Sequence, residues 1–270
     1  MTRKLDDLVA AADPASGRVR LISGNWKMNL NHLEAIALVQ KLYHLLRPED
    51  FRYAEVGIHP PFTALRSLQL TFEADRMPFT LGAQNCSDEA AGAYTGEVSA
   101  PMLAKLGVGY VIVGHSERRR LFHETSELVA RKALAVQQAG MHPIVCIGES
   151  AQERAAGMTQ EVLTAQLSPV LESYPVGAID GVVIAYEPVW AIGAGEAADP
   201  DAVGEITRAI RAFVSERLGE AVGARIRIQY GGSVNAGNAR AFMTLDDVDG
   251  LLVGGASLDP DAFALLIKSA

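Results

Sequence analysis

The chain contains the segment Ile184-Ala-Tyr-Glu187-Pro-Val-Trp-Ala-Ile-Gly193-Ala-Gly-Glu196, in which an apolar, β-branched run ends on a carboxylate. Such a run predicts a buried strand, and burial can raise the pKa of the following glutamate so that it serves as a general base. The glycine-containing, apolar loop after Glu187 can close beside the carboxylate and exclude water. An isolated glutamate at this position would more often cap a helix or pair with an arginine, so its interpretation depends on the remaining chain.

Similar apolar runs recur along the chain and alternate with amphipathic helical patterns. Strands that alternate with helices predict a parallel sheet, and eight units over about 250 residues favour a closed (β/α)8 barrel over an open doubly wound sheet. The predicted strands are 21–26, 54–59, 79–84, 109–114, 142–147, 181–186, 225–230 and 248–253, and the predicted helices include 33–46, 62–70, 98–106, 127–139, 202–218 and 260–267. We expect one α/β domain over residues 19–270, preceded by an extension over 1–18 that is a frayed helix or a disordered segment.

The composition is that of an ordinary soluble globular protein and excludes several classes of function. A net charge of -8 and a pI near 5.3 argue against nucleic acid or an anionic membrane as a partner. No apolar run reaches the roughly 18 residues of a membrane span, and the first residues do not read as a signal peptide. The two cysteines, Cys86 and Cys146, predict no disulfide framework and fit the cytoplasm, and the histidine spacing predicts no metal site.

The polar residues of this chain are concentrated where the predicted strands end. In a (β/α)8 barrel the carboxyl ends of all strands meet at one face, and that face carries the chemistry. The residues concerned are Asn25, Lys27, Gln84, Asn85, His115, Ser116, Glu117, Gly148, Glu149, Glu187, Gly231, Gly232, Ser233, Gly254 and Gly255. The strand starts carry nothing comparable, so the sequence predicts an active site at the carboxyl-terminal face.

Two of these residues have side chains suited to carbonyl chemistry. Lys27 at the barrel mouth can stabilise a developing oxyanion, although a lysine after a strand is more often a solvated surface group. His115 is followed directly by a predicted helix start, whose partial positive charge disfavours imidazolium and keeps the ring neutral. A neutral imidazole can donate a proton to a carbonyl oxygen. Glu117 is placed either to orient Lys27 or to cap the helix.

The glycine pairs after the last two strands predict an anion site. Backbone N–H groups approach an anion closely only where no Cβ intervenes, and phosphate sites of this fold favour the loops after strands seven and eight. Gly231-Gly232-Ser233 and Gly254-Gly255 occupy those loops. Simple turn chemistry is the alternative explanation for each pair alone.

Several of these segments, taken together, resemble the triosephosphate isomerase family. The matching segments are Gly24-Asn-Trp-Lys-Met-Asn29, Gly92-Ala-Tyr-Thr-Gly-Glu97, Gly114-His-Ser-Glu-Arg-Arg119, Ala185-Tyr-Glu-Pro-Val-Trp-Ala-Ile-Gly193, Tyr230-Gly-Gly-Ser233 and Leu252-Val-Gly-Gly255. They stand in family order and spacing, and the resemblance covers about residues 20–268. It implies a TIM barrel that interconverts dihydroxyacetone phosphate and D-glyceraldehyde 3-phosphate in glycolysis and gluconeogenesis, without cofactor or metal.

The resemblance also implies a role for individual residues. Glu187 would move a proton between the two substrate carbons, and neutral His115 would polarise the carbonyl and relay protons between the oxygens. Lys27 and Asn25 would stabilise the enediolate. The phosphate would be held through backbone N–H groups, and the residues concerned are Gly193, Ser233, Gly254 and Gly255.

Two further expectations follow from the resemblance. Residues 189–198 would close over the substrate, but the usual Gly-Thr-Gly-Lys ending of this lid is Gly193-Ala-Gly-Glu196 here, which reverses a charge. The connection 86–97 would insert into a second copy of the chain and place Thr95 near the partner's site. The sequence therefore predicts a homodimer.

Two other functions remain as alternatives at this point. The first is another phosphate-binding barrel, such as an aldolase with Lys27 as Schiff-base nucleophile. The second is a catalytically silent barrel that acts as a binding protein, which the loss of Glu187 or His115 would have marked. Lys27 lies beside polar Asn25 and Asn29, which favours its reading as a charge stabiliser.

Overall fold

The structure is a closed barrel of eight parallel strands. The computed structural model describes residues 10–14, 16–174, 179–192 and 198–270. The strands are β1 (Arg20–Asn25), β2 (Ala54–His59), β3 (Thr80–Ala83), β4 (Tyr110–Val113), β5 (His142–Ile147), β6 (Val183–Tyr186), β7 (Arg227–Tyr230) and β8 (Gly250–Val253). Each strand pairs with its sequence neighbours, and β8 pairs back onto β1, with Leu21 opposite Gly250. The predicted fold is confirmed.

Helices surround the barrel and connect successive strands. They are α1 (His32–Leu45), α2 (Leu65–Asp75), α3 (Ala100–Lys105), α4 (Ser116–Phe122), α5 (Ser126–Gln138), α6 (Ala151–Ala155), α7 (Thr159–Ser173), α8 (Pro200–Leu218), α9 (Glu220–Arg225), α10 (Ala239–Met243) and α11 (Pro260–Ile267). Short 3-10 turns lie at Pro48–Arg52, Phe62–Ala64, Val189–Ala191 and Gly255–Leu258. In the described part of the chain, no helix combines the length and apolar character needed to cross a membrane.

Local sequence signals set the helix boundaries. At α1, the Asn31 side chain accepts hydrogen bonds from the amides of Leu33 and Glu34, and the Glu34 carboxylate accepts one from the Asn31 amide. This capping box satisfies amides that have no partner inside the helix. The N-terminal prolines of α8 and α11 follow aspartate caps, Asp199 and Asp259. Capping residues in the sequence therefore mark where α1, α8 and α11 begin.

The core has two layers. A large layer lies between the strands and the helices, and a small one fills the barrel interior. The apolar residues of the interior are Leu21, Tyr110, Ile112, Ile144, Cys146, Val183, Ala185 and Leu252.

His59 is an unusual member of the barrel interior because its imidazole is fully buried. The ring fits only because its neighbours lack side chains: a Cβ on Gly82 would lie 2.2 Å from a ring carbon, and one on Gly57 would lie 3.0 Å from another. Burial lowers the pKa of His59 to about 3. The ring is therefore neutral at physiological pH.

The chain before β1 packs against the amino-terminal end of the barrel. Ala10 is buried, and the Ala11 amide donates to the Arg52 carbonyl at 3.0 Å. Arg18 donates to Asp249 at 2.5 Å. Part of the predicted extension, residues 1–9 and residue 15, lies outside the described residues, and the domain boundary at residue 19 stays a prediction.

Candidate active site

Glu187 follows β6 directly and lies at the carboxyl-terminal mouth of the barrel. Its side chain is 2% exposed. Oε1 lies 3.1 Å from His115 Nε2, and the other oxygen, Oε2, accepts a hydrogen bond from the Ser116 amide at 3.2 Å. The backbone of Gly148 presses against it, since a Cβ there would lie 1.7 Å from the Glu187 carbonyl oxygen. The absence of a side chain at Gly148 therefore lets the Glu187 backbone lie against this strand end.

The pKa of Glu187 corrects one expectation from the sequence. Burial raises this pKa, as expected, but His115, the Ser116 amide and Lys27 together lower it by more. The net direction is downward from the ordinary value. The sequence pattern could show that the glutamate is buried, but it could not show which cation and donors face it. In this structure Glu187 is ionised at neutral pH.

His115 occupies the N-cap position of α4. Its Nδ1 accepts the Glu117 amide hydrogen at 3.2 Å, which leaves the proton on Nε2, facing Glu187. Burial lowers the pKa of His115, whereas the charges of Glu187 and Glu117 raise it by more, so the net direction is upward. A second proton would have to displace the amide hydrogen bond at Nδ1. That hydrogen bond therefore selects the neutral, Nε2-protonated ring.

Lys27 lies just past β1 with a left-handed backbone, φ 52°. Its amide donates to Asn25 Oδ1 at 3.0 Å, its carbonyl accepts from Gln84 Nε2 at 2.8 Å, and its ammonium lies 2.7 Å from Glu117 Oε1. Non-glycine residues rarely adopt this conformation, so neighbouring bonds must hold it. Asn25 and Gln84 thus fix the backbone from which the ammonium extends.

The glycine turn after β8 lies beside Lys27. A Cβ on Gly254 would lie 3.6 Å from Lys27 Cε, and a Cβ on Gly255 would meet no atom within 4 Å. Gly255 also begins the 3-10 turn Gly255–Leu258, whose first amides have no partner within that turn. The structure therefore brings Lys27 and this turn together around one open space.

The other predicted site residues have different outcomes. Ser233 follows β7, and its hydroxyl donates to the Ala191 carbonyl at 2.5 Å, which ties the strand-seven turn to the start of the lid. Gly193 lies outside the described residues. Thr95 lies in an exposed loop, 89–97.

A buried carboxylate at the base of the lid, Glu149, was named at a strand end by the sequence but was given no role. Glu149 is fully buried and accepts hydrogen bonds from the Tyr186 hydroxyl at 3.2 Å and from Trp190 Nε1 at 2.8 Å. The Arg154 guanidinium lies 4.2 Å from the centre of the Trp190 ring. Glu149 and Gln84 share one usable signal, because each is a polar residue directly after a strand.

The described residues contain no cluster of three or more His, Cys, Asp or Glu side chains that could hold a metal ion. The arrangement consists of an ionised base, a neutral imidazole N–H donor and a cation around one opening. Together these groups can remove a proton from a carbon next to a carbonyl and stabilise the resulting oxyanion.

Comparison with known proteins agrees with this geometry. The sequence model of the triosephosphate isomerase family matches residues 20–270. The triosephosphate isomerase of Nocardia farcinica is 51% identical over 249 residues, which cover 92% of this chain and 95% of that protein. The triosephosphate isomerase of Leifsonia xyli is 49% identical over 253 residues, which cover 93% and 97%.

Proposed function

Since the chain belongs to the triosephosphate isomerase family and interconverts dihydroxyacetone phosphate and D-glyceraldehyde 3-phosphate, we propose that Glu187 and His115 transfer the protons of that reaction. One observation carries this proposal: Glu187 Oε1 and His115 Nε2 lie 3.1 Å apart at the barrel mouth. A glutamate base beside a neutral histidine is the known acid–base pair of this family. The reaction belongs to glycolysis and gluconeogenesis.

Glu187 begins the reaction as the base. Its lowered pKa keeps it ionised, so it can accept a proton from the carbon next to the substrate carbonyl. In the structure, however, its carboxylate is bound to His115 and Ser116. The carboxylate must leave His115 before it reaches the substrate, and it later returns the proton to the neighbouring carbon.

His115 and Lys27 stabilise the charge that develops on the substrate oxygens. Once Glu187 leaves, the Nε2 proton of His115 is free to bond to the carbonyl oxygen. The ammonium of Lys27, which contacts Glu117, attracts the enediolate, and the Asn25 side chain holds the Lys27 backbone amide.

The phosphate of the substrate is assigned to the glycine turns. Gly254 and Gly255 lie beside Lys27, where backbone amides and an ammonium can share one dianion. Ser233 lies on the neighbouring turn, and Gly193 of the lid would complete the set. Closure of the lid would exclude water and so prevent loss of phosphate from the intermediate.

The geometry does not favour the alternatives. A Schiff-base lysine must be neutral and desolvated to act as a nucleophile, whereas Lys27 is partly exposed and paired with Glu117 at 2.7 Å. A silent binding barrel would not need an ionised base aimed at an imidazole donor.

We place the enzyme in the cytoplasm as a homodimer. Cys86 and Cys146 are buried free thiols, which suit a reducing compartment.

Several apolar side chains are exposed in the single chain, among them Met28 at 93% and Phe122 at 63%, and the loop around Thr95 is exposed throughout. A second copy that covers them would explain this exposure. Sedimentation at micromolar concentration tests the dimer, and a fully active monomer would refute it.

The residue assignment is tested by replacing Glu187 with glutamine. The amide keeps the shape of the side chain but cannot accept the proton, so we expect turnover to fall roughly 10²–10⁴-fold. The measurement is a coupled assay with glyceraldehyde 3-phosphate and glycerol-phosphate dehydrogenase, with NADH loss as the signal. A Glu187→Gln enzyme with near-normal kcat would show that another group is the base.

A further inference from the structure

A cavity of about 280 Å³ adjoins Glu187 and is separate from the glycine turns assigned to the phosphate. Glu187, Cys146 and Val189 are among its lining residues, and its wall is mainly apolar. We call it the side cavity. Its volume is near the lower limit of small-molecule sites, so a compact ligand of fragment size fits it.

Two arginines of α4 also line the side cavity, and they differ in their partners. Arg119 is engaged, because its guanidinium donates to the carbonyls of Gly114 and Cys146 and to the Ser126 hydroxyl. Arg120 is exposed, and its side chain makes no hydrogen bond or ion pair with any part of the chain that the structure describes. Arg120 is therefore a charged group available to a ligand.

One acidic side chain faces the same cavity without neutralising Arg120. Glu153 accepts the Ser150 amide hydrogen at 2.7 Å as part of the cap of α6. It has no ion pair with Arg120 among the described residues. The opening thus offers one unpartnered cation beside a mainly apolar wall.

We propose that the side cavity binds a small apolar monocarboxylate, with the apolar body against Cys146 and Val189 and the carboxylate on Arg120. The apolar body of such a ligand is buried against the wall, and its carboxylate accepts a charge-assisted hydrogen bond from Arg120. For a ligand of about nine heavy atoms, we expect a dissociation constant on the order of 1 mM. This site is distinct from the one that holds the triose phosphate.

Occupancy of the side cavity opposes turnover. The cavity is lined by Glu187 while that carboxylate is bound to His115 and Ser116. Catalysis requires Glu187 to leave His115, so a ligand that contacts the observed arrangement favours the resting form. By linkage, ligand and substrate then weaken each other's binding, and KM rises with ligand while kcat is unchanged.

The test uses benzoate as the probe and the complete enzyme. Benzoate binding is measured by NMR titration, and its effect on kcat and KM by the coupled assay. Arg120→Ala is expected to weaken benzoate binding about tenfold while leaving KM and kcat without benzoate within about twofold. Benzyl alcohol, which lacks the charge, should bind both proteins equally. Because the titration does not depend on activity, its result is separate from the isomerase assignment.

Arg240→Ala is the matched control. Arg240 is also exposed, and it lines a larger cavity of about 820 Å³ at the other end of the barrel. Benzoate binding should be unchanged in this variant. Loss of binding in Arg240→Ala, or no saturable binding below about 10 mM, would overturn the proposal. Inhibition that persists unchanged in Arg120→Ala would do so too, because it would place benzoate in the phosphate site.

Discussion

The two ends of this barrel both contain buried charges, but the charges are arranged for opposite purposes. At the amino-terminal end, Asp249 accepts hydrogen bonds from Arg18, Arg211 and the Ile228 amide at 2.5–2.9 Å. No step of the reaction requires any of these contacts to break.

At the carboxyl-terminal end, one buried contact joins two groups that separate in the proposed reaction. Glu187 and His115 bind each other in the structure, and each binds the substrate in the proposed reaction. The comparison teaches that the buried ion pairs at the first end contribute to stability, whereas the contact between Glu187 and His115 at the second end holds reactive groups ready. Substitutions at the two ends should therefore separate stability from activity.

The largest expected effect on stability comes from breaking the amino-terminal network. Asp249→Ala leaves Arg18 and Arg211 without their shared carboxylate, which should lower the free energy of unfolding by about 3–5 kcal/mol. The measurement is urea denaturation at fixed protein concentration, since a dimer's stability depends on concentration. Asp249→Asn, which retains an acceptor, should lose less. Unchanged stability with reduced kcat would contradict the division between the two ends.

Lys27→Met should instead reduce activity strongly and stability little. Loss of one donor to a developing oxyanion costs about 3 kcal/mol, so kcat/KM should fall roughly 10²-fold. The free energy of unfolding should change by less than about 1 kcal/mol, because the pair with Glu117 is partly exposed. If instead only stability fell, Lys27 would belong with the structural charges.

His59, the last residue of β2, predicts a pH dependence of stability. Its pKa is about 3 in the folded state, so only the unfolded chain, with an ordinary pKa near 6.5, takes up a proton as the pH falls below that value. This contribution is complete above pH 6.5 and declines down to about pH 3. Between pH 7.5 and pH 5 the loss should be roughly 2 kcal/mol. His59→Leu should remove about one proton from the pH slope of unfolding, and an unchanged slope would show that the ring is protonated in the fold.

The smallest effect is expected at the base of the lid. Arg154→Ala removes a cation from the face of Trp190, a contact worth about 0.5–1 kcal/mol. Acrylamide should quench the fluorescence of Trp190 more strongly, and the signal is specific because the other tryptophan, Trp26, is fully buried. Arg118→Ala, which removes the same kind of contact from Phe122, should leave the quenching unchanged. Equal quenching in both variants would mean that Arg154 does not restrain the lid.

Much of the fold could be predicted because strand and helix patterns are local. All eight predicted strands are present, two of them with the predicted boundaries and six with boundaries that differ by one or two residues. Helix α7 is not among the helices indicated by the pattern, and Pro169 lies inside it, which disrupts the helical signal.

The candidate site was harder to predict than the fold. The residues after the strands could be named, because the barrel brings strand ends together. The partners of each could not, since Glu187 meets His115 across 72 positions of sequence, a pairing that no local pattern encodes. The lowering of the Glu187 pKa and the burial of His59 between two glycines both depend on such long-range neighbours.

The pairing of β8 with β1 also sets when the enzyme can first work. Asn25 and Lys27 follow the first strand, and Gly254 and Gly255 follow the last, so these residues meet only when the barrel closes. On a translating ribosome, a chain that has emerged only as far as β7 holds Glu187 and His115 but has no place for the phosphate. With the proposed site, we therefore expect activity to arise late in synthesis, so that a partly made barrel does not act on metabolites around it.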